Sequence, residues 1–192
     1  MSSGFSKRDE KILRAALSMF ARFGVAKTTM NDIASEAGVA RQTVYNAFPG
    51  KPDLLRATTR LATRDFQEEV REAWSGVEGT AAKLDLYLEL GPLRWYALIK
   101  ESPATAEVFD GMNEHAKAEV AEGTKNWTAM MEAELKADGV RSKDPEVSLS
   151  DLSEFFYFAS ANAKYSAEST EILRARLRTI RSALLNMLED AG

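Results

Sequence analysis

The sequence predicts an all-α protein, an amino-terminal helix-turn-helix head on a larger helical body. Three observations carry the fold class. Apolar residues recur at three- and four-residue steps almost from end to end. The segments between widely spaced breakers are rich in Ala, Leu, Glu, Lys and Arg, all good helix formers. No stretch alternates apolar and polar residues with β-branched enrichment, so no sheet is expected.

Each element follows in order. Ile12, Leu13, Ala16, Leu17, Phe20 and Phe23 form one stripe of a first helix, with Gly24 as its C-cap. Thr29 and Asp32 have the spacing of a capping box and open a second, short helix that stops at Gly38, with Ile33, Ala34 and Ala37 inward. A third short helix fits Ala40 to Ala47, with Val39, Val44 and Phe48 inward. Pro49-Gly50 is a turn, and Lys51-Pro52-Asp53-Leu54-Leu55 starts a long fourth helix, where the missing Pro52 N–H costs little. Beyond it, breakers at Gly76, Gly79, Gly91-Pro92, Pro103, Gly111, Gly123, Gly139 and Pro145 separate further helices. The last two segments, about 147–167 and 170–189, carry the stripes Leu149, Leu152, Phe156, Ala159, Ala163 and Leu173, Leu177, Ile180, Leu184, Leu188. The expected domains are residues 1–50 for the head and 51–192 for the body.

Composition narrows the chemistry. The 192 residues are 45% hydrophobic and 28% charged, enough to build a core without disulfides or metal. Zero cysteines exclude thiolate metal sites and suit a cytoplasmic location. A lone histidine, His115, rules out a multi-histidine metal centre, and no signal peptide or membrane span is apparent. No cofactor is implied. The net charge of −4 is unevenly spread: residues 1–56 carry +4 and the remainder −8. A basic head on an acidic body points to a polyanionic partner at one end.

The motif with chemistry in it runs from Thr28 to Lys51. Ala34 and Ala37 let two short helices cross closely, and Gly38 supplies the permissive turn. With Val39, Val44 and Phe48 inward, the opposite face shows Arg41, Gln42, Thr43, Tyr45 and Asn46. Arg can pair bidentately with guanine, Gln or Asn with adenine, and Thr can touch a thymine methyl. Arg41, Gln42, Thr43 and Asn46 are therefore expected at bases, and Thr28, Thr29, Tyr45 and Lys51 at phosphates. A plain helical hairpin would share the Gly-centred turn. It would not need this concentration of base-reading side chains in a net-basic head.

Here the run FARFGVAKTTMNDIASEAGVARQTVYNAFPGKPDLL resembles the amino-terminal signature of TetR/AcrR-type transcriptional regulators. The likeness covers about residues 10–56. It rests on Phe20/Phe23-Gly24, Thr28-Thr29, Ile33-Ala34, Ala37-Gly38-Val39, Thr43-Val44-Tyr45, Phe48, and Lys51 with Leu54-Leu55. Ala47 stands where many relatives have a His or Tyr that reaches DNA, and Ala40 where many have Ser, so no contact is carried to either. The resemblance implies a homodimer on a near-palindromic double-stranded operator, with half-sites about one helical turn apart, roughly 34–36 Å. It also implies a divergent body whose small-molecule effector releases the DNA, as in a repressor.

In that body the resemblance makes the last two segments the dimerisation pair. Leu152, Phe156, Ala159, Ala163, Leu173, Leu177, Ile180 and Leu184 are expected there, divided in an unknown way between core and interface. For the effector, the middle helices offer Trp95, Tyr96, Ile99 and Met112. His115, Trp127, Met130, Met131, Phe155 and Asn162 complete the candidates. Their low charge favours an apolar or aromatic compound. Two other readings stay open: a body that is a protein-interaction module without an effector, and an enzyme built on His115. The second lacks any local nucleophile signature, so no catalytic residue is assigned.

Overall fold

The computed structural model describes residues 4–103, 106 and 114–190. Its helices are α1 (Lys7–Phe23), α2 (Met30–Ala37), α3 (Arg41–Ala47), α4 (Lys51–Ser75), α5 (Thr80–Leu88), α6 (Arg94–Glu101), α7 (Lys117–Ala137), α8 (Leu149–Asn162) and α9 (Thr170–Met187). Packing divides the chain into two compact units, residues 1–66 with 98–123 and residues 67–97 with 124–192. This differs from a boundary at residue 50. The helix-turn-helix does end there, but the first turns of α4 supply Leu54, Leu55 and Leu61 to the head's core and cannot be separated from it.

In the first unit α1 opens on Ser6, whose hydroxyl oxygen accepts from the Asp9 N–H at 3.1 Å. Its stripe of Ile12, Leu13, Ala16 and Phe20 is buried against Ile33, Ala34, Ala37 and Val44. Each large apolar side chain buried here contributes about 1.5–3 kcal/mol relative to exposure. Phe23 departs from the expected stripe and is exposed, with the Arg22 guanidinium 5.0 Å from its ring centroid. Phe23 is the last residue of the helix, and Val25, beyond the Gly24 cap, is buried instead. On the other side of this unit α4 and α7 approach closely. A Cβ on Gly123 would come within 2.4 Å of Thr63 Cγ2, and Arg60 holds Glu119 bidentately at 2.7 and 2.9 Å.

The second unit has an aromatic centre. The Tyr87 ring lies 4.3 Å from Trp127 and 5.6 Å from Phe156, and Trp127 lies 5.3 Å from Tyr157. Burial raises the Tyr87 phenol above its ordinary pKa. Between α5 and α6 the predicted break at Gly91-Pro92 is instead one wide π turn, Glu89–Leu93. Pro92 has no N–H to donate, and the wider turn accommodates it without ending the helix. Lys83 on α5 bridges to Glu134 and Asp138 at 2.8 and 2.6 Å. A three-residue antiparallel ladder, β1 (Val140–Ser142) with β2 (Leu188–Asp190), was not expected. Three residues are too few to show alternation in sequence.

Candidate nucleic-acid interface

The outer surface of the head is built from its caps. Asp32 Oδ2 accepts from the Thr29 N–H at 2.9 Å and from its hydroxyl at 2.7 Å, while the Asp32 N–H donates to the Thr29 hydroxyl oxygen at 3.2 Å. This is the capping box read from the sequence. These same Thr29 hydrogen bonds, side chain first, hold the Asp32 carboxyl below the usual carboxylate range. Gly38 closes α2 in the left-handed region at φ 61°. A Cβ there would meet only Lys11 Nζ, at 3.7 Å, so the requirement for glycine is conformational and not one of space.

α3 then lies across α2 with Val44 and Phe48 buried. Its outer face shows Arg41, Gln42 and Asn46 exposed, with Thr43 and Tyr45 half-buried. These side chains are paired along the helix. Gln42 Nε2 donates to Asn46 Oδ1 at 2.8 Å. Arg41 Nη2 lies 3.4 Å from the Tyr45 phenol oxygen, and its guanidinium carbon sits 5.2 Å from the Tyr45 ring centroid.

Two expected phosphate ligands are corrected. Thr28 is only 1% exposed, and its hydroxyl donates to the Gly24 carbonyl at 2.8 Å, so it faces the α1–α2 loop and not solvent. The Lys51 ammonium donates to three carbonyls, those of Val25 at 2.8 Å, Ala26 at 3.2 Å and Thr28 at 3.2 Å. All three of its N–H bonds are thereby used. Both residues pin the loop that leads into α2. Thr29 is exposed beside them, as is Lys27, a cation that the sequence places in the basic head but that was not singled out.

The body candidates are dispersed. Trp127 and Met131 are buried in the second unit, and Tyr96 is buried there with its phenol donating to the Ala167 carbonyl at 2.8 Å. Trp95 and Met130 are half-buried, and the Met130 sulfur accepts from Arg71 Nη2 at 3.4 Å. Phe155 and Asn162 are exposed, on the outer side of α8, and so do not line an interior. Ile99 and His115 belong to the first unit, and Met112 lies outside the described residues.

Of the residues expected in the dimerisation pair, most belong to the core of their own chain. Leu152, Phe156, Ala163, Leu173, Leu177 and Leu184 are buried within their own chain. Ala159 and Ile180 are half-buried. What α8, α9 and the turn between them leave outside is Phe155, Phe158, Tyr165, Ile172 and Met187. The α8–α9 turn is held by Arg176, which donates to the carbonyls of Ala163 and Tyr165 at 2.9 Å and Ser166 at 3.3 Å.

Comparison with known proteins agrees with this geometry. The sequence profile of bacterial regulatory proteins of the tetR family matches residues 12–58, from α1 into α4. Over 49 residues the chain is 42% identical to the probable acrEF/envCD operon repressor of Escherichia coli strain K12, which is 26% of this chain and 22% of that protein. The match thus spans about a fifth of the curated relative. In fold, 95% of the chain superposes on 97% of the fatty acid degradation regulator FadR from Bacillus halodurans, with TM-score 0.69 and 18% identity. A TetR-family transcriptional regulator from Agrobacterium tumefaciens gives TM-score 0.66 at 15% identity, covering 92% of this chain and 96% of that one. The head, over residues 12–58, is thus similar in sequence to the tetR family of bacterial regulatory proteins, and the whole chain shares the fold of these solved regulators.

Proposed function

We propose that the protein is a homodimeric transcriptional repressor that holds a palindromic DNA operator through α3 and releases it on binding a small apolar or aromatic effector. The observation that carries the reading is the outer face of α3. Arg41, Gln42 and Asn46 are exposed and Thr43 is half-buried on a short helix whose other side is anchored by Val44 and Phe48. Arg41, Gln42 and Thr43 face bases; Thr29 and Lys27, beside the positive end of α2, face phosphates.

Dimerisation is supported by Phe155 and Phe158, two large apolar side chains three residues apart that α8 leaves exposed. An effector site in the body is supported by Trp127. Its indole N–H is buried with no acceptor among the described residues, and the rings of Trp74, Tyr87 and Tyr157 lie around it. An unpaired buried N–H costs about 1–3 kcal/mol, which an uncharged acceptor on an aromatic compound would recover.

The test is genomic selection of bound DNA by the full-length protein, followed by titration of the complex with aromatic compounds. Enrichment of palindromic fragments, and their release by a compound that also quenches tryptophan fluorescence, are expected. A protein that retains no DNA sequence preference overturns the assignment. DNA binding that no compound relieves removes the effector part alone.

A further inference from the structure

We infer that α3 reads one guanine and one neighbouring adenine through Arg41 and Gln42, and that Tyr45 and Asn46 are positioning residues for those two side chains and not readers of bases of their own. The inference rests on the proposal that α3 enters the major groove, and it names the half-site that the groove should contain.

The argument is an inventory of donors and acceptors. An amide has one carbonyl oxygen and two N–H bonds. Gln42 gives one N–H to Asn46 Oδ1 at 2.8 Å. It keeps an acceptor oxygen and one N–H, the set that matches the N6 amino group and N7 of adenine. The Asn46 oxygen already accepts from Gln42 on one of its two lone pairs, so Asn46 would reach an adenine of its own only by sharing that oxygen and giving up its place as a brace. Arg41 is held in a second way. Its guanidinium lies over the Tyr45 ring at 5.2 Å and turns one Nη toward the phenol oxygen at 3.4 Å. The remaining N–H groups keep a two-pronged edge, which suits the O6 and N7 acceptors of guanine.

Spacing completes the assignment. Residues four apart on a helix lie on one face and can brace each other, whereas consecutive residues point about 100° apart. Arg41–Tyr45 and Gln42–Asn46 are therefore two separate braced units, aimed at neighbouring base pairs. Long, flexible side chains lose rotamer freedom when they bind, and a brace made before binding reduces that loss.

The experiment is selection of bound sequences from random double-stranded DNA by full-length wild type, Gln42→Ala, Asn46→Ala, the double variant and Tyr45→Ala, with melting temperatures measured alongside. Wild type should enrich guanine beside adenine in each half-site. Gln42→Ala and Asn46→Ala should flatten the same adenine column, each with a loss of about ten- to a hundredfold on that operator. The double variant should lose no more than Gln42→Ala alone. Tyr45→Ala should flatten the guanine column and leave the adenine column intact. A simple loss of folding would instead lower the melting temperature and weaken all columns together.

The assignment is overturned if Asn46→Ala erases a column different from that of Gln42→Ala, if the two losses add, or if Tyr45→Ala weakens every sequence equally and lowers the salt dependence as a lost phosphate contact would. A wild type that enriches no sequence overturns the regulator reading itself, and is told apart from these outcomes because it appears before any substitution is made.

Discussion

The head and the body solve the same framing problem with the same parts. In the head, Lys51 gathers the carbonyls of Val25, Ala26 and Thr28 around the α1–α2 loop. In the body, Arg176 gathers those of Ala163, Tyr165 and Ser166 around the α8–α9 turn. Each region also opens a helix with a capping box, Thr29 with Asp32 on α2 and Ser148 with Asp151 on α8. What differs is the surface so framed. The head leaves Arg41, Gln42 and Asn46 outside, and the body leaves Phe155 and Phe158. A side chain's role as frame or as contact surface therefore depends on which way it points, even where residue types and caps are alike.

The sharpest way to break the comparison is on α8, where Phe156 is buried and Phe158, two residues on, is 51% exposed. Phe156→Ala should destabilise the fold by about 3–5 kcal/mol, read as a lowered midpoint in urea unfolding. Phe158→Asp should leave that midpoint nearly unchanged and shift the protein from dimer to monomer in analytical ultracentrifugation. If both substitutions act on folding alone, the outer face of α8 is not an interface.

Next in size are the two cationic pins. Lys51→Met leaves three carbonyls without their donor and should cost about 2 kcal/mol of head stability. Operator affinity should fall with it, while the slope of log affinity against log salt stays as in wild type. Lys27→Ala should do the opposite, sparing stability and lowering that slope by about 0.9 for one lost phosphate contact. An exchange of these two signatures would restore Lys51 as a phosphate ligand.

The smallest effect concerns the capping boxes. Hydrogen bonds from Thr29 and from Ser148 lower the pKa of Asp32 and Asp151. A carboxyl whose folded pKa lies below its unfolded value adds stability above the unfolded value, and that stability is lost as pH falls through the folded one. Both boxes should thus loosen together below about pH 4, seen as faster amide exchange at the first turns of α2 and α8. Asp32→Asn should remove the acid response from α2 and leave that of α8.

Much of the frame was legible because its signals are local. The Gly24 end of α1, the Thr29–Asp32 box and the Gly38 turn each depend on residues within four positions of one another, and each is present in the structure. The buried stripe of α8 through Leu152 and Phe156 was also readable from spacing. The misassigned residues share another feature. Lys51 bonds to carbonyls 23 to 26 positions away, and no spacing rule marks such a partner. Thr28 sits beside Thr29 with the same side chain, yet one hydroxyl turns to Gly24 and the other to Asp32.

By itself, then, the sequence determined the helices, their caps and a small polar helix with one anchored side, because hydrophobic period and capping chemistry act over a few residues. Only the tertiary structure decided which cation became a pin, which hydroxyl was buried and which of α8's aromatic residues stayed outside. Those outcomes depend on how distant segments meet. A helix such as α8, with Phe156 pointing inward and Phe155 and Phe158 outward, offers more than one apolar side, and packing selects among them.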